Sequence, residues 1–390
     1  MERKKKQRNG SKNNISPNGK ILRDCRYYRG DRPCFFHKTE GVKCEDCPHY
    51  SPFSEKILMI KLDALGDVLR TTSLLPGLKD KYPKSHITWI TRKDSLPLFG
   101  GNSLVDRVLP VVPEGLVSLS AENFSVAVNL DTSFLSAGLM TIASAERKFG
   151  FGLDELGQVR ALNAEAEAWL RMSVFDDLKK SNRRTYQAIA RKIAGISPPE
   201  GEIIIRLLPA EAEFAAEFAA RHGYDRDRLH IGLNTGAGGR WKHKKWTREG
   251  TLALARLCRD RLNAQLLLYG GPEEEERNRW LLSRAEGILI DTGCHNSLRE
   301  FFSLLNLSDL MVTSDSLALH AALGLKKKVV ALFGPTSSAE VEMYGRGEKV
   351  VTPLACRCCY LTDCAVEPDC MESITPEMVF AAVRKLMRSG

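Results

Sequence analysis

Residues 57–69 read ILMIKLDALGDVL, and the fold turns on how that run is parsed. Residues 57–60 are continuously apolar, as a strand is when both of its faces are covered. Lys61 breaks the run, Gly66 supplies a turn, and residues 67–82 carry the apolar spacing of a helix. Such a unit sets an acid, Asp67, and the free N–H groups around Gly66 at the C-terminal end of a buried strand. Open α/β sheets bind ligands there, and anions in particular sit against a helix start. Asp67 suits a general base in that crevice. It equally suits the helix cap, the commoner role for an aspartate at this place.

Outward from this unit the alternation continues. Strand-like runs occupy 86–91, 107–112 and 124–130, and residues 183–195 read as a helix. Pro198, Pro199 and Gly201 mark a connection. A second series follows, with strands at 230–234, 265–271, 309–314 and 328–334. Helices are expected at 248–262, 273–285, 298–305 and 317–323, with a terminal helix at 379–387. The pattern predicts an α/β protein of two Rossmann-like domains, 53–205 and 206–390, whose parallel sheets face a cleft.

The 390 residues suit two domains rather than one core, and 43% hydrophobic with 27% charged residues is the composition of a soluble protein. No apolar run approaches the roughly 18 residues of a membrane span. Residues 1–24 lack the apolar centre of a secretory signal, so a cytoplasmic location is expected. The net charge is +9, but eight Lys and Arg against Glu2 and Asp24 put +6 of it in residues 1–24. Those residues read as a solvated basic tail, able at most to make a weak peripheral contact with an anionic membrane at the inner face. Nucleic acid is not favoured, because only +3 remains for the rest of the chain.

Three later segments carry chemistry. NTGAGGRWKHKKW (234–246) follows a strand, and its glycines let backbone approach a ligand from Asn234 onward. Arg240, Lys242, Lys244 and Lys245 bring positive charge suited to a diphosphate leaving group. The alternative is a solvated basic loop. TSDSLALHAALG (313–324) passes from strand to helix, where Thr313, Ser314 and Ser316 could cradle phosphate. There Asp315 or Ser314 alternatively caps the helix and His320 is a buried histidine. Glu273, after Gly270-Gly271-Pro272, could hold ribose hydroxyls or merely favour its helix start. The triplet Asp225-Arg226-Asp227 reads as a surface turn.

In this order, ILMIKLDALGDVL, GAGGRWKHKKW, LLLYGGPEEE, SDSLALHAA and VVALFGPT resemble the signatures of glycosyltransferase family 9, the ADP-heptose:lipopolysaccharide heptosyltransferases. The likeness covers residues 56–387. It implies a GT-B fold and an inverting transfer of a sugar, heptose above all, from a nucleotide-diphosphate sugar, ADP-heptose being favoured. The acceptor would be a hydroxyl of a glycan, of a glycolipid such as lipopolysaccharide core, or of a protein. By matching position, Asp67 resembles the catalytic base and Lys244 the lysine that steadies donor phosphate. Glu273, Asp315, Ser316 and His320 fall at donor-binding positions, and Gly66, Asn234, Arg240 and Ser314 are expected to join them in donor binding from their own placement at strand ends and glycine turns. Leu317 stands where the family commonly has glycine, which bears on the shape of the sugar pocket. No catalytic metal is implied. A nucleotide-sugar epimerase of the same architecture is the rival enzyme. A zinc-dependent nucleic-acid-binding protein is the rival of another class.

Nine of the 11 cysteines fall in two clusters, and only Cys258 and Cys294 lie elsewhere. Cys356-x2-Cys359-x4-Cys364-x5-Cys370 forms a finger at 356–370, with Cys358 spare. Cys25, Cys34, Cys44 and Cys47, with His37 in reserve, mark a module at 25–52. Outside a secreted protein such groupings read as structural zinc or iron sites rather than disulfides.

Overall fold

The computed structural model describes residues 19–198, 201–238 and 242–388. The chain divides into two compact units, Met1–Ser54 and Glu55–Gly390. In the first, the described residues form a short helix Phe35–Glu40 and a single 3-10 turn Cys44–Asp46. Its two ends are clipped together by a bridge between Cys25 and Pro52, by Arg26 N–H to the Ser51 carbonyl and by Phe53 N–H to the Asp24 carbonyl, both 2.9 Å. The first 18 residues of the basic tail lie outside the described residues.

The second unit holds two six-stranded sheets. β1 (Glu55–Ile60), β2 (Ser85–Thr91), β3 (Arg107–Pro110), β4 (Asn123–Asn129), β5 (Ser144–Leu153) and β6 (Val159–Ala161) run in the spatial order 3-2-1-4-5-6. β7 (His230–Asn234), β8 (Gln265–Tyr269), β9 (Leu289–Asp291), β10 (Leu310–Ser314), β11 (Lys328–Phe333) and β12 (Gly347–Val351) repeat that order within the second sheet. All pairings are parallel except that of β6 with β5. The order reverses between β1 and β4 and again between β7 and β10, so each sheet has one crevice beyond its strand ends.

The continuous apolar strands follow from burial on both faces. Ile57 and Met59 of β1 enter one core cluster, while Leu58 and Ile60 enter another on the opposite face. Leu267 and Tyr269 of β8 join the same cluster as Ile57, and Leu266 and Leu268 face a third. The connection between the sheets contributes Ile203 and Ile205 to that shared cluster. One core therefore runs through both halves.

Helix ends are where the sequence chemistry puts them. Thr247 accepts the Gly250 N–H at 3.0 Å to start helix Arg248–Leu262, which ends at Asn263 in the left-handed conformation. Ser297 and Glu300 form a reciprocal capping box at the start of Leu298–Leu305.

The single helix expected over 67–82 is instead Leu65–Thr71, a 3-10 turn Thr72–Leu74 and Leu75–Lys81. The hydroxyls of Thr71, Thr72 and Ser73 bond back to the carbonyls of Asp67, Leu69 and Arg70 at 2.6–2.8 Å, and Pro76 has no N–H to continue the ladder. β5, β6, β9 and β12 carry no clear apolar run, and the sequence reading has no strand at any of them. The exposed triplet Asp225-Arg226-Asp227 is a turn, with Asp225 Oδ1 accepting the Asp227 N–H at 3.0 Å.

Candidate active site

Lys61 follows β1 and Asp131 follows β4, and they pair across the first crevice. Both side chains are almost wholly buried. The other Asp131 oxygen accepts the Leu62 N–H at 2.5 Å, and Lys61 also donates to the Asp63 carbonyl at 2.8 Å. Burial pushes the lysine pKa down, but the charges of Asp131, Tyr186 and Asp67 outweigh it and leave the value raised. A buried charge held in this way fixes the loop that leads to Asp67.

Asp67 sits in the first turn of helix Leu65–Thr71, with Oδ2 3.4 Å from the Ala64 N–H and Oδ1 2.7 Å from Arg70 Nη2. The cap is long and the ion pair is short, so charge rather than capping dominates its surroundings. Its side chain keeps 36% of its surface exposed. Burial raises its pKa, yet Arg70, Lys61 and His320, with the Ala64 N–H, hold it down at about 2. Arg70 also lies over the Tyr186 ring, 3.8 Å from its centroid. Tyr186 shares a 2.7 Å hydrogen bond with Thr71 and donates its backbone N–H to the Glu340 carbonyl at 2.9 Å.

The second wall starts with the basic loop. Its residues 239–241, including Arg240, lie outside the described residues. Beyond them, His243 Nδ1 pairs with Asp369 at 2.9 Å, Lys245 with Glu274 at 2.6 Å, and Trp246 Nε1 donates to the Ile374 carbonyl at 2.9 Å. Lys244, anchored on both sides, reaches Asp315 at 3.2 Å. The Asp315 carboxyl is raised by burial, but Lys244, His320, Arg70 and a hydrogen bond from Thr336 keep it below its usual range. Asn234 Nδ2, at the end of β7, donates to Thr313 Oγ1 at 2.9 Å and to Ser316 Oγ at 3.4 Å, spanning the second crevice.

Helix Leu65–Thr71 packs on helix Leu317–Gly324, which brings the two walls together. A Cβ on Gly66 would stand 3.0 Å from His320 Cδ2 and 3.5 Å from Leu317 Cα, so any larger residue there would make the His320 ring give way by a few tenths of an ångström. His320 is buried, and its Nδ1 has no hydrogen-bond partner among the described residues. Burial and the Arg70 charge drive its pKa down to about 4 against the opposing pull of Asp315 and Asp67.

Of the residues singled out from the sequence, Gly66, Asp67, Lys244, Asp315 and His320 form one cluster. Asn234 and Ser316 meet beside it. Ser314 is buried at the end of β10, where its carbonyl accepts from Thr313 Oγ1 at 3.1 Å. Glu273 is exposed and 3.9 Å from Lys245, while its neighbour Glu274 is the buried acid and accepts the Gly271 N–H at 3.0 Å. Sequence reasoning passed over Lys61, Arg70, Asp131, Tyr186 and Glu340. Arg70 was legible as the residue three positions after Asp67 on one helix face, and Asp131 as an acid ending a strand. Tyr186 and Glu340 carry no local signal.

The finger is fastened to the loop after β11: Cys358 N–H donates to the Gly334 carbonyl at 3.0 Å, Tyr360 N–H to Pro335 at 2.9 Å, and Tyr360 OH accepts the Ser337 N–H at 3.1 Å. Burial, then Asp369 and the thiols of Cys359, Cys364 and Cys356, push Cys370 up to about 12. All 11 cysteines are free thiols. Among the described residues, no three His, Cys, Asp or Glu side chains are already gathered to hold a metal ion. No helix among them is long and apolar enough to cross a membrane.

A family model for glycosyltransferase family 9 (heptosyltransferase) matches residues 116–368. Lipopolysaccharide heptosyltransferase 1 of Escherichia coli K12 is 23% identical over 326 residues, covering 76% of this chain and 92% of that protein. The glycosyl transferase family 9 structure from Veillonella parvula superposes with a TM-score of 0.73 at 19% identity, over 86% of this chain and 98% of that one. The E. coli ADP-heptose LPS heptosyltransferase II does so with a TM-score of 0.64 at 19% identity, over 86% and 99%. The two facing parallel sheets are thus a GT-B fold, and the chain belongs to glycosyltransferase family 9.

Proposed function

We propose that the enzyme is an inverting heptosyltransferase that moves heptose from ADP-heptose to a hydroxyl of a lipopolysaccharide-type glycan at the cytoplasmic side of the membrane. The observation that carries this reading is the seating of Asp67 against the helix of Asp315, Ser316 and His320, with Lys244 beside it. Donor and acceptor in the reading follow those of the E. coli heptosyltransferases it resembles.

The acceptor oxygen attacks the anomeric carbon opposite the diphosphate, the bond to the diphosphate breaks, and the hydroxyl proton passes to Asp67. A carboxylate held at about 2 is a weak base at rest, so the proton leaves as the new bond forms rather than before it. The diphosphate takes up charge as it departs. Lys244 meets that charge, exchanging Asp315 for phosphate, together with the N–H groups opening helix Leu317–Gly324. His320 is neutral near pH 7 and offers its unpartnered Nδ1 to the donor as a hydrogen-bonding group. Cys356, Cys359, Cys364 and Cys370 are assigned a structural zinc or iron ion that stiffens the loop after β11.

Asp67→Ala is expected to lower transfer, read as ADP release in the presence of acceptor, by on the order of 10²–10⁴-fold. ADP-heptose affinity by calorimetry should stay within about twofold, because the donor contacts lie on the other wall. Wild-type turnover in this variant would remove Asp67 from the chemistry. Thermal stabilisation by other nucleotide sugars but not by ADP-heptose would overturn the donor.

A further inference from the structure

The described part of the first unit has no core. None of its residues from 19 to 54 is buried, and neither the helix Phe35–Glu40 nor the turn Cys44–Asp46 contributes a buried side chain. A segment this short cannot bury enough apolar surface to offset its conformational entropy, and chains of this size are ordinarily held by disulfides or a metal. Its interior is instead a cavity of about 480 Å³, with Cys25, Cys34, His37, Cys44, Cys47 and His49 in its wall.

The two histidines have other work. His37 is exposed and its Nδ1 bonds to the Val42 carbonyl at 2.9 Å. His49 is stacked on Phe36 at 3.8 Å between centroids, and its Nε2 pairs with Glu40 at 2.8 Å. The four cysteines are all half-buried free thiols. Cys44 and Cys47 sit three apart on one 3-10 turn, where Cys47 N–H donates to the Cys44 carbonyl. Cys34 is the residue before helix Phe35–Glu40, and the Cys25–Pro52 bridge sets Cys25 beside the chain five residues after Cys47.

We propose that Cys25, Cys34, Cys44 and Cys47 bind one divalent thiophilic ion, Zn²⁺ or Fe²⁺, as a tetrahedral thiolate site that folds this module. Their side chains line the wall without yet converging. Entry of the ion would draw the four sulfurs to about 2.3 Å from one centre. Four thiol protons leave to solvent as the ion enters. The site is independent of the transferase reading, since no donor or acceptor group belongs to it.

The test uses the full chain, purified without chelator and dialysed, with metal measured by mass spectrometry. Cys44→Ser/Cys47→Ser should lose about one ion per chain relative to wild type. Cys356→Ser/Cys359→Ser, which addresses the finger, should leave that ion in place. X-ray absorption of the finger variant should show only sulfur neighbours at about 2.3 Å, and the absorption edge names zinc or iron. Because Cys44→Ser/Cys47→Ser could unfold the module for other reasons, wild-type protein is also treated with a chelator. Metal loss should then expose residues 19–54 to protease while 55–351, which hold both sheets, resist. A wild-type chain without metal, metal content unchanged by Cys44→Ser/Cys47→Ser, nitrogen neighbours in place of sulfur, or an intact mass showing disulfides among the four would each overturn the proposal.

Discussion

Asp67 is at once the acid end of an ion pair and the base in the proposed reaction, and Arg70 governs both roles. The guanidinium 2.7 Å away is the largest of the charges that lower the Asp67 pKa. The carboxylate must be ionised to take a proton, so activity is present above its pKa and lost as pH falls through it. Removing the positive charge raises that pKa. In Arg70→Gln the acid limb of the kcat/KM profile should therefore move upward by about 1–3 units, which a pH series on wild type and variant would reveal. An unmoved limb would mean that another group titrates. The pairing of Asp67 with Arg70 was within reach of the sequence, because three positions on a helix bring side chains to one face. The pairing of Lys244 with Asp315 was not, because it joins a loop to a helix start 71 positions later in the numbering.

At the scale of elements, the decisive contact is helix Leu65–Thr71 on helix Leu317–Gly324. Gly66→Ala gains about 1 kcal/mol of helix propensity but costs about 1–3 kcal/mol by overpacking against His320. Stability should fall by at most about 2 kcal/mol, whereas kcat/KM should fall by on the order of tenfold or more as His320 and Leu317 are displaced. A wild-type kcat/KM would show that the contact is slack. The loop ahead of the helix is held by the buried pair of Lys61 and Asp131. Lys61→Met would strand the Asp131 charge with the Leu62 N–H alone and should cost about 3–5 kcal/mol in urea unfolding. Recovery of most of that loss in Lys61→Met/Asp131→Leu would confirm that the unpaired charge, not lost packing, is the cause. Strands β1, β7, β8, β10 and β11 were legible because burial on both faces leaves each with a short run of mostly apolar residues. β12, GEKVV, lies at the edge of its sheet and β6, VRA, at the edge of the other, so neither needs an apolar run.

For the whole molecule, the shared core makes the two sheets one compact unit rather than two loosely tethered ones. Arg299 reinforces the joint. Its guanidinium meets Glu211 through two contacts of 2.7 Å, donates to the Arg206 carbonyl at 2.5 Å and reaches Pro97 of the first half at 3.5 Å. Both side chains of the ion pair are about 15% exposed, so little solvent screening reduces its worth. Arg299→Ala should lower unfolding free energy by about 3 kcal/mol, with donor affinity nearly unchanged because no donor-side group touches it. A single unfolding transition in wild type, splitting into two in Arg299→Ala, would identify the pair as the coupling between the halves. Unaltered stability would assign that coupling to the apolar core alone.

The order of residues alone carried the fold class, because strand burial and helix amphipathicity are local periodicities that a chain must write into its residues. It also determined the ordered motifs that carry the family. Only the tertiary structure decided which motif residues share one site. Gly66, Asp67, Lys244, Asp315 and His320 come from three segments, and their meeting depends on two crevices being pressed together by a core that spans both sheets. The same is true of Asp67 itself: spacing made it a cap first, and charge made it otherwise. Arg70 shares its helix face, but His320 reaches it only after folding, and a long-range electrostatic environment has no signature in a local run of sequence.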